Sequence, residues 1–214
     1  ETLEWIKNNT PQDAIIASWW DYGYWITTLS DRTTLIDNAT LIDSRIKDVA
    51  KIFLSSPDQG WNLLREWNAD YVVVFITLDR LENYSNSGER LYVLGKGGDE
   101  TKSQWFIRIA GLPIQEYLYS DLYTVNNNFL NNTLLGKMIP YSPIAYYDQR
   151  NDQSWTEFRP GFIPLYVEDI KYNSEDGPLK FVYSSPSFNN EKNGSIGVVL
   201  VYKINENYIP LNLQ

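Results

Sequence analysis

One carboxylate and two indole N–H groups stand consecutively at Trp19, Trp20 and Asp21, inside the stretch IIASWWDYGYWITT. A Ser or Thr hydroxyl donates one hydrogen bond and has two lone pairs to accept. The trio therefore matches the hydrogen-bonding inventory of a single hydroxyl group. Consecutive strand residues point to opposite faces, so two adjacent tryptophans cannot simply fill one core. At a strand-to-helix junction the chain turns, and neighbouring side chains can converge. Two readings stand at this point: a hydroxyl-binding pocket, or a structural tryptophan pair.

Other chemistry is thinly supplied. The chain contains no His and no Cys, which excludes Ser-His-Asp and Cys-His catalysis, His- or Cys-ligated zinc and disulfides. Carboxylates, lysines and aromatic hydroxyls remain. The acids are numerous enough to hide a glycosidase-like pair, but most fall in turns or at helix starts, where a solvated role is the expectation. GKGGDETKS invites comparison with a phosphate-binding loop, yet Thr101 stands where Gly must precede Lys-Ser, and the backbone cradle is not encoded.

The formal net charge of −9 and the absence of a basic stripe argue against nucleic acid as partner. Five Asn-x-Ser/Thr sequons, at Asn8, Asn38, Asn83, Asn131 and Asn193, suit a chain on the glycosylating side of a membrane, or simply reflect Asn-rich composition. The apolar runs YVVVFITL and IGVVLVY are strand-length, far below the roughly 20 residues that span a bilayer. The sequence opens on ETLEWIKNNTP, with no initiator Met and no signal-like segment, and reads as a soluble piece of a longer protein.

The elements that must position these residues follow from periodicity. Residues 2–9 form a short helix stopped by Pro11, AIIASW a buried strand, and YGYWITTLS a helix for which Asp21 supplies the cap. RTTLID is a second strand. Residues 41–55 carry apolar side chains at helical spacing, and GWNLLREWN is a further helix before the strongest strand, DYVVVFIT. Residues 79–98 read as an exposed polar loop. DETKSQWFIRIA is a helix with acids in its first turn and Gly111 after its end. NNTLLGKMIPY reads as an amphipathic structural helix, and from about residue 140 short alternating runs indicate β structure. The expected fold is mixed α+β: a helix-rich core over residues 1–139 with a small, largely parallel sheet, then a β-rich section over 140–214, in one domain.

WWDYG, Trp19 to Gly23, resembles the signature of the catalytic subunit of oligosaccharyltransferase, the integral-membrane enzyme of N-glycosylation. DETKSQWFIRI resembles the family's DK motif, Asp-x-x-Lys-x-x-x-(Met/Ile), with Asp99 and Lys102 in place. Phe106 stands where Met or Ile is expected and is followed by Ile107. Weaker likenesses in NATLIDSRIKDVAKIF, NNTLLGKMIPY and VLVYKIN extend the resemblance over most of the chain. The absence of cysteine and the compact length point to the archaeal type.

The resemblance implies a C-terminal globular domain that reads the acceptor sequon. In it, Trp19, Trp20 and Asp21 hold the Ser/Thr hydroxyl, while Tyr22 and Gly23 shape the turn and the helix start. Asp99, Lys102 and Phe106 fall at i, i+3 and i+7 on one helix face, so that the Lys102 stem and Phe106 or Ile107 can meet the Thr methyl group. The alternative is a core Phe106 with an Asp99–Lys102 surface pair. The full enzyme would transfer oligosaccharide from a lipid-linked donor to the acceptor Asn, on the extracellular face of the cell membrane. Its divalent metal, Mn2+ or Mg2+, is expected outside this segment, which then carries neither catalytic residue nor metal ligand. Two rival classes are a carbohydrate-binding or cell-surface module, with Trp19, Trp20 and Trp25 stacking on sugars, and a carboxylate-based hydrolase.

Overall fold

Alternating β-branched and aromatic residues after Asp70 build the longest strand, and the other elements assemble around it. The computed structural model describes residues 1–95, 97–172 and 175–210. Helix α1 (Thr2–Asn9) leads to strand β1 (Ile15–Ala17). The chain then coils without a break: a 3₁₀ turn over Trp20–Tyr22, a short helix α2 (Gly23–Trp25) and a π-helical turn over Ile26–Ser30. Strand β2 (Thr33–Thr34) and helices α3 (Asp43–Leu54) and α4 (Pro57–Glu66) follow. Pro57 occupies the first turn of α4, where its missing N–H costs nothing, and Ser56 accepts the Gln59 N–H as cap.

The long strand β3 (Tyr71–Tyr84) pairs with β4 (Arg90–Leu94) through a short turn. Helix α5 (Asp99–Ala110) then crosses back, followed by α6 (Asn127–Asn132) and α7 (Leu134–Met138). Strands β5 (Tyr141–Asp148), β6 (Gln153–Trp155), β7 (Ile163–Glu168), β8 (Leu179–Ser184) and β9 (Gly194–Ile204) complete the chain. This is the mixed α+β architecture expected from sequence.

All the strands join one sheet, in the order β2-β1-β3-β4-β7-β5-β6, with β9 on the other edge of β3 and β8 outside it. The expectation of a largely parallel sheet needs correction. Only β1–β2 and β1–β3 run parallel; the other pairings described are antiparallel. A parallel neighbour needs a long crossover, and α3–α4 supply one between β1 and β3. The short turn after β3 forces an antiparallel partner, and β9 returns antiparallel along β3 from Tyr71↔Lys203 to Arg80↔Gly194.

Residues 79–98 are likewise not a simple loop. The stretch continues β3 to Tyr84 and forms β4. Its polar composition misled because Arg80 is a buried strand residue whose guanidinium donates to the Phe188 and Lys192 carbonyls.

The strand period of two splits β3 between two cores. Val72, Val74, Ile76 and Leu78 face the main core with α3, α5, α6 and α7. Tyr71 and Val73 face a smaller cluster with Ile6, Ile16, Ile26 and Val201, beneath α1. Arg32 locks this second layer from behind: its guanidinium donates to the carbonyls of Lys7, Thr10 and Ser30. The WWDYG segment therefore turns between the two layers, anchored on both sides.

Candidate functional site

One edge of β3 is left open for a few residues. β1 pairs with it only to Val72, and β4 begins only at Leu78. The first turn of α5 fills the gap. Asp99 Oδ2 accepts the Phe75 N–H at 2.9 Å, and Glu100 Oε1 accepts the Thr77 N–H at 3.3 Å and the Thr77 hydroxyl at 2.8 Å. Gly98 permits this seating, since a Cβ there would lie 2.7 Å from both the Ile76 Cα and the Phe75 carbonyl oxygen. Buried backbone donors must find partners, and here two acids replace a missing strand.

Asp99 then turns its second oxygen toward the WWDYG segment. Tyr22 Oη donates to Asp99 Oδ1 at 2.8 Å, and Lys102 Nζ donates to Tyr22 Oη at 2.9 Å. The same ammonium lies 2.6 Å from Asp21 Oδ2 and 3.9 Å from Asp99 Oδ1. A hydrogen-bonded chain thus runs from the β3 backbone through Asp99, Tyr22 and Lys102 to Asp21. Exposure rises along it: the Asp99 side chain is 1% accessible, Lys102 22% and Asp21 29%. The charged end faces solvent, while the anchor is sealed.

Burial governs the electrostatics. Desolvation pushes the Asp99 carboxyl up to about 6, against the opposing effects of the Phe75 N–H, Lys102 and the Tyr22 hydroxyl. Burial also pushes Glu100 up to about 7, and one of its oxygens, Oε2, is buried without a hydrogen-bond partner. Burial and the Asp99 charge push the Tyr22 phenol far up, so it stays protonated. Above pH 6 Asp99 is the ionised acceptor that the geometry requires.

Asp21 does not cap the following helix as expected, and α2 has no side-chain cap. Its carboxylate is drawn to Lys102 instead. Asn38 does part of the fixing, accepting the Tyr24 N–H at 3.0 Å and donating to the Asp21 carbonyl at 2.9 Å. Nothing local in the sequence marks Asn38 for this role, except that an amide can satisfy one donor and one acceptor at once. Gly23 is helical, with φ −55°, and the need for glycine there is spatial: a Cβ would meet the Asp37 Cα at 2.4 Å and the Ile36 carbonyl oxygen at 2.6 Å.

The aromatic residues divide. Trp19 is 2% exposed and packs on Phe106 at 4.0 Å between ring centroids, with Phe53 edge-on behind. Trp20 is half-buried, 6.3 Å from Trp19 and tilted. Phe106 and Ile107 are wholly buried, so the apolar end of the DK-like motif lies in the core, where Phe106 packs on Trp19, rather than lining an open surface. Asp99 and Lys102 are not a surface pair, because Asp99 is sealed against β3. An apolar groove of about 420 Å³ adjoins the site, lined by Asp21, Tyr22, Trp25, Ile26, Val73 and Phe75 among others.

Among the described residues no group of three or more His, Cys, Asp or Glu side chains is placed to hold a metal ion.

The fold and site define a mixed α+β domain with an acid–tyrosine–lysine relay presented at a tryptophan-rich turn. Residues 12–80 match the model of the STT3/PglB/AglB core domain. The chain is 34% identical over 149 residues to the dolichyl-diphosphooligosaccharide–protein glycosyltransferase subunit STT3 of Saccharomyces cerevisiae, a match covering 64% of this chain and 19% of that protein. It is 29% identical over 214 residues to subunit STT3B of Oryza sativa subsp. japonica, covering 95% and 26%. The fold is similar to that of the C-terminal globular domain of oligosaccharyltransferase from Archaeoglobus fulgidus, with a TM-score of 0.51 at 18% identity over 95% of this chain and 94% of that one. The chain is thus similar to the STT3/PglB/AglB core domain over residues 12–80, and it spans 19% and 26% of the length of the two curated relatives named. Among the described residues no helix is long and apolar enough to cross a membrane.

Proposed function

We propose that this chain is the C-terminal globular domain of an oligosaccharyltransferase catalytic subunit of the archaeal type, and that it recognises the hydroxyl residue of an Asn-x-Ser/Thr acceptor. The observation that carries this reading is the Asp21 carboxylate, held half-exposed by Lys102 at the turn where Trp20 emerges. Asp21 accepts a hydrogen bond from the acceptor hydroxyl and the half-buried Trp20 indole donates to its oxygen, while Trp19, sequestered in the core, supports the turn rather than reaching the acceptor. The Lys102 stem meets the Thr methyl group. Phe106 acts through Trp19, on which it packs, with Ile107 buried in the same core, while Tyr22 and Gly23 hold the turn. An acceptor with Ala in place of Ser/Thr leaves these polar groups unpaired, and such a site rejects it by about 10⁴-fold.

In the whole protein, oligosaccharide passes from a lipid-linked donor to the acceptor Asn amide at the extracellular face of the membrane. Residues outside this segment hold the Mn2+ or Mg2+ ion and carry the chemistry. The Trp25 indole, 62% exposed, also suits a sugar-stacking surface; sugar binding by the domain with no dependence on a sequon would favour that second reading.

The test uses the full-length protein in detergent with lipid-linked donor and fluorescent peptides. Transfer should fall in the order Asn-x-Thr, Asn-x-Ser, with Asn-x-Ala silent, and Asp21→Ala should cripple it. Transfer indifferent to the hydroxyl residue or to Asp21 would overturn the reading.

A further inference from the structure

We propose that Tyr22 is a positioning residue: its phenol fixes the Lys102 ammonium on Asp21 and thereby sets the side chain that distinguishes Thr from Ser. This rests on the acceptor-recognition reading above and extends it to a residue that acts through Lys102.

The direction of every hydrogen bond in the relay is forced. An ammonium only donates and an ionised carboxylate only accepts. The single phenol proton must therefore go to Asp99, at 2.8 Å, leaving a lone pair for Lys102 at 2.9 Å. Asp99 cannot rotate to follow, because its other oxygen is tied to the Phe75 N–H in the open edge of β3. Tyr22 thus transmits the rigidity of the sheet to a flexible four-carbon stem that is itself partly open to water. Asp21 holds the ammonium at 2.6 Å, with Asp99 more distant at 3.9 Å and the Tyr22 ring 4.7 Å away; the Tyr22 hydroxyl adds a short hydrogen bond from a different direction. The Tyr22 ring packs edge-on to Phe75 at 6.3 Å. Phenylalanine retains that contact and loses only the hydroxyl, which separates positioning from packing.

The experiment compares wild type, Tyr22→Phe, Lys102→Met and the double variant as full-length protein, each with Asn-x-Thr and Asn-x-Ser peptides. Loss of one hydrogen bond to a charged group corresponds to about a tenfold effect. Tyr22→Phe is expected to raise the Asn-x-Thr KM about tenfold with kcat little changed, and to bring the Thr-to-Ser ratio of kcat/KM toward 1. In the Lys102→Met background the same substitution should add nothing. A wild-type Thr-to-Ser ratio in Tyr22→Phe, or an undiminished effect without Lys102, overturns the proposal. A smaller folded fraction lowers both peptides equally and leaves the ratio untouched. Should Tyr22→Phe lack activity, acetylation of Lys102 in the folded full-length protein, read by mass spectrometry, decides. Severalfold faster labelling than in wild type supports the role, and an unchanged rate overturns it. The Asp21→Ala and Asn-x-Ala results stand apart: they judge the acceptor reading whatever Tyr22→Phe does.

Discussion

The Asp99 carboxylate accepts the Phe75 backbone N–H at 2.9 Å, taking the place of a strand partner in the interval between β1 and β4. A residue of the DK-like motif is thus part of the sheet as well as part of the site. Removing it leaves two buried donors, the Phe75 N–H and the Tyr22 hydroxyl, without their acceptor. An unsatisfied buried donor costs about 1–3 kcal/mol, so Asp99→Ala should lose about 2–5 kcal/mol in urea unfolding of the domain. A midpoint equal to wild type would show that Asp99 has no role in the sheet.

The pH dependence of stability follows from the same helix start. Asp99 is raised from 3.8 to about 6 and Glu100 from 4.5 to about 7, both chiefly by burial. A carboxyl with a raised folded-state pKa favours the folded chain in its protonated form. Its contribution is complete below the unfolded pKa and is lost as pH rises through the folded one. Stability should therefore fall between about pH 4 and 7 on account of these two groups. Glu100→Gln keeps an acceptor for Thr77 and removes the titration. It should match wild type at about pH 4 and exceed it at about pH 8, measured by denaturant midpoints; the reverse order refutes the burial argument.

Gly23→Ala separates propensity from packing. In a helical conformation Ala is favoured over Gly by about 1 kcal/mol. Here the added Cβ would press on the backbone of Ile36 and Asp37, the nearest atom at 2.4 Å. Overpacking of this kind costs about 1–3 kcal/mol, so the variant should be less stable and should bind acceptor peptide more weakly in the full-length protein. A more stable Gly23→Ala protein would mean that the close approach is not rigid.

Phe106 lies between Trp19 and Phe53 with no exposure. Phe106→Ala should cost about 3–5 kcal/mol and alter the near-UV circular dichroism of the tryptophans. Phe106→Met, which keeps most of the apolar volume, should cost much less. Equal losses for Ala and Met would show that volume is not what Phe106 supplies.

The purified segment, mixed with lipid-linked donor and an Asn-x-Thr peptide, should form no glycopeptide detectable by mass spectrometry. Product formation would place chemistry within these residues and remove the division of labour proposed above.

Local features of the chain were legible before the structure. The periodicity of residues 41–55 gave α3, the acids and Gly111 bracketed α5, and the run after Asp70 marked β3. The burial of Trp19, which leaves Trp20 and Asp21 as the partly open residues of the trio, was not legible there. What misled was polarity whose partner lies far away. Arg80 reads as a loop residue until Phe188 and Lys192 offer it carbonyls. Asp21 reads as a helix cap until Lys102 arrives from α5.

The sequence by itself determined which chemistry is possible, with no imidazole or thiol, and which short segments coil or extend. Those properties arise from side-chain type and from contacts a few residues apart. Tertiary structure alone decided that β9 would run antiparallel to β3, that Asp99 would enter the sheet edge, and that Tyr22 would join Lys102 to it. Such pairings close long loops, and their partners are selected by sheet register and by the burial of donors that must be satisfied. No local pattern encodes that choice.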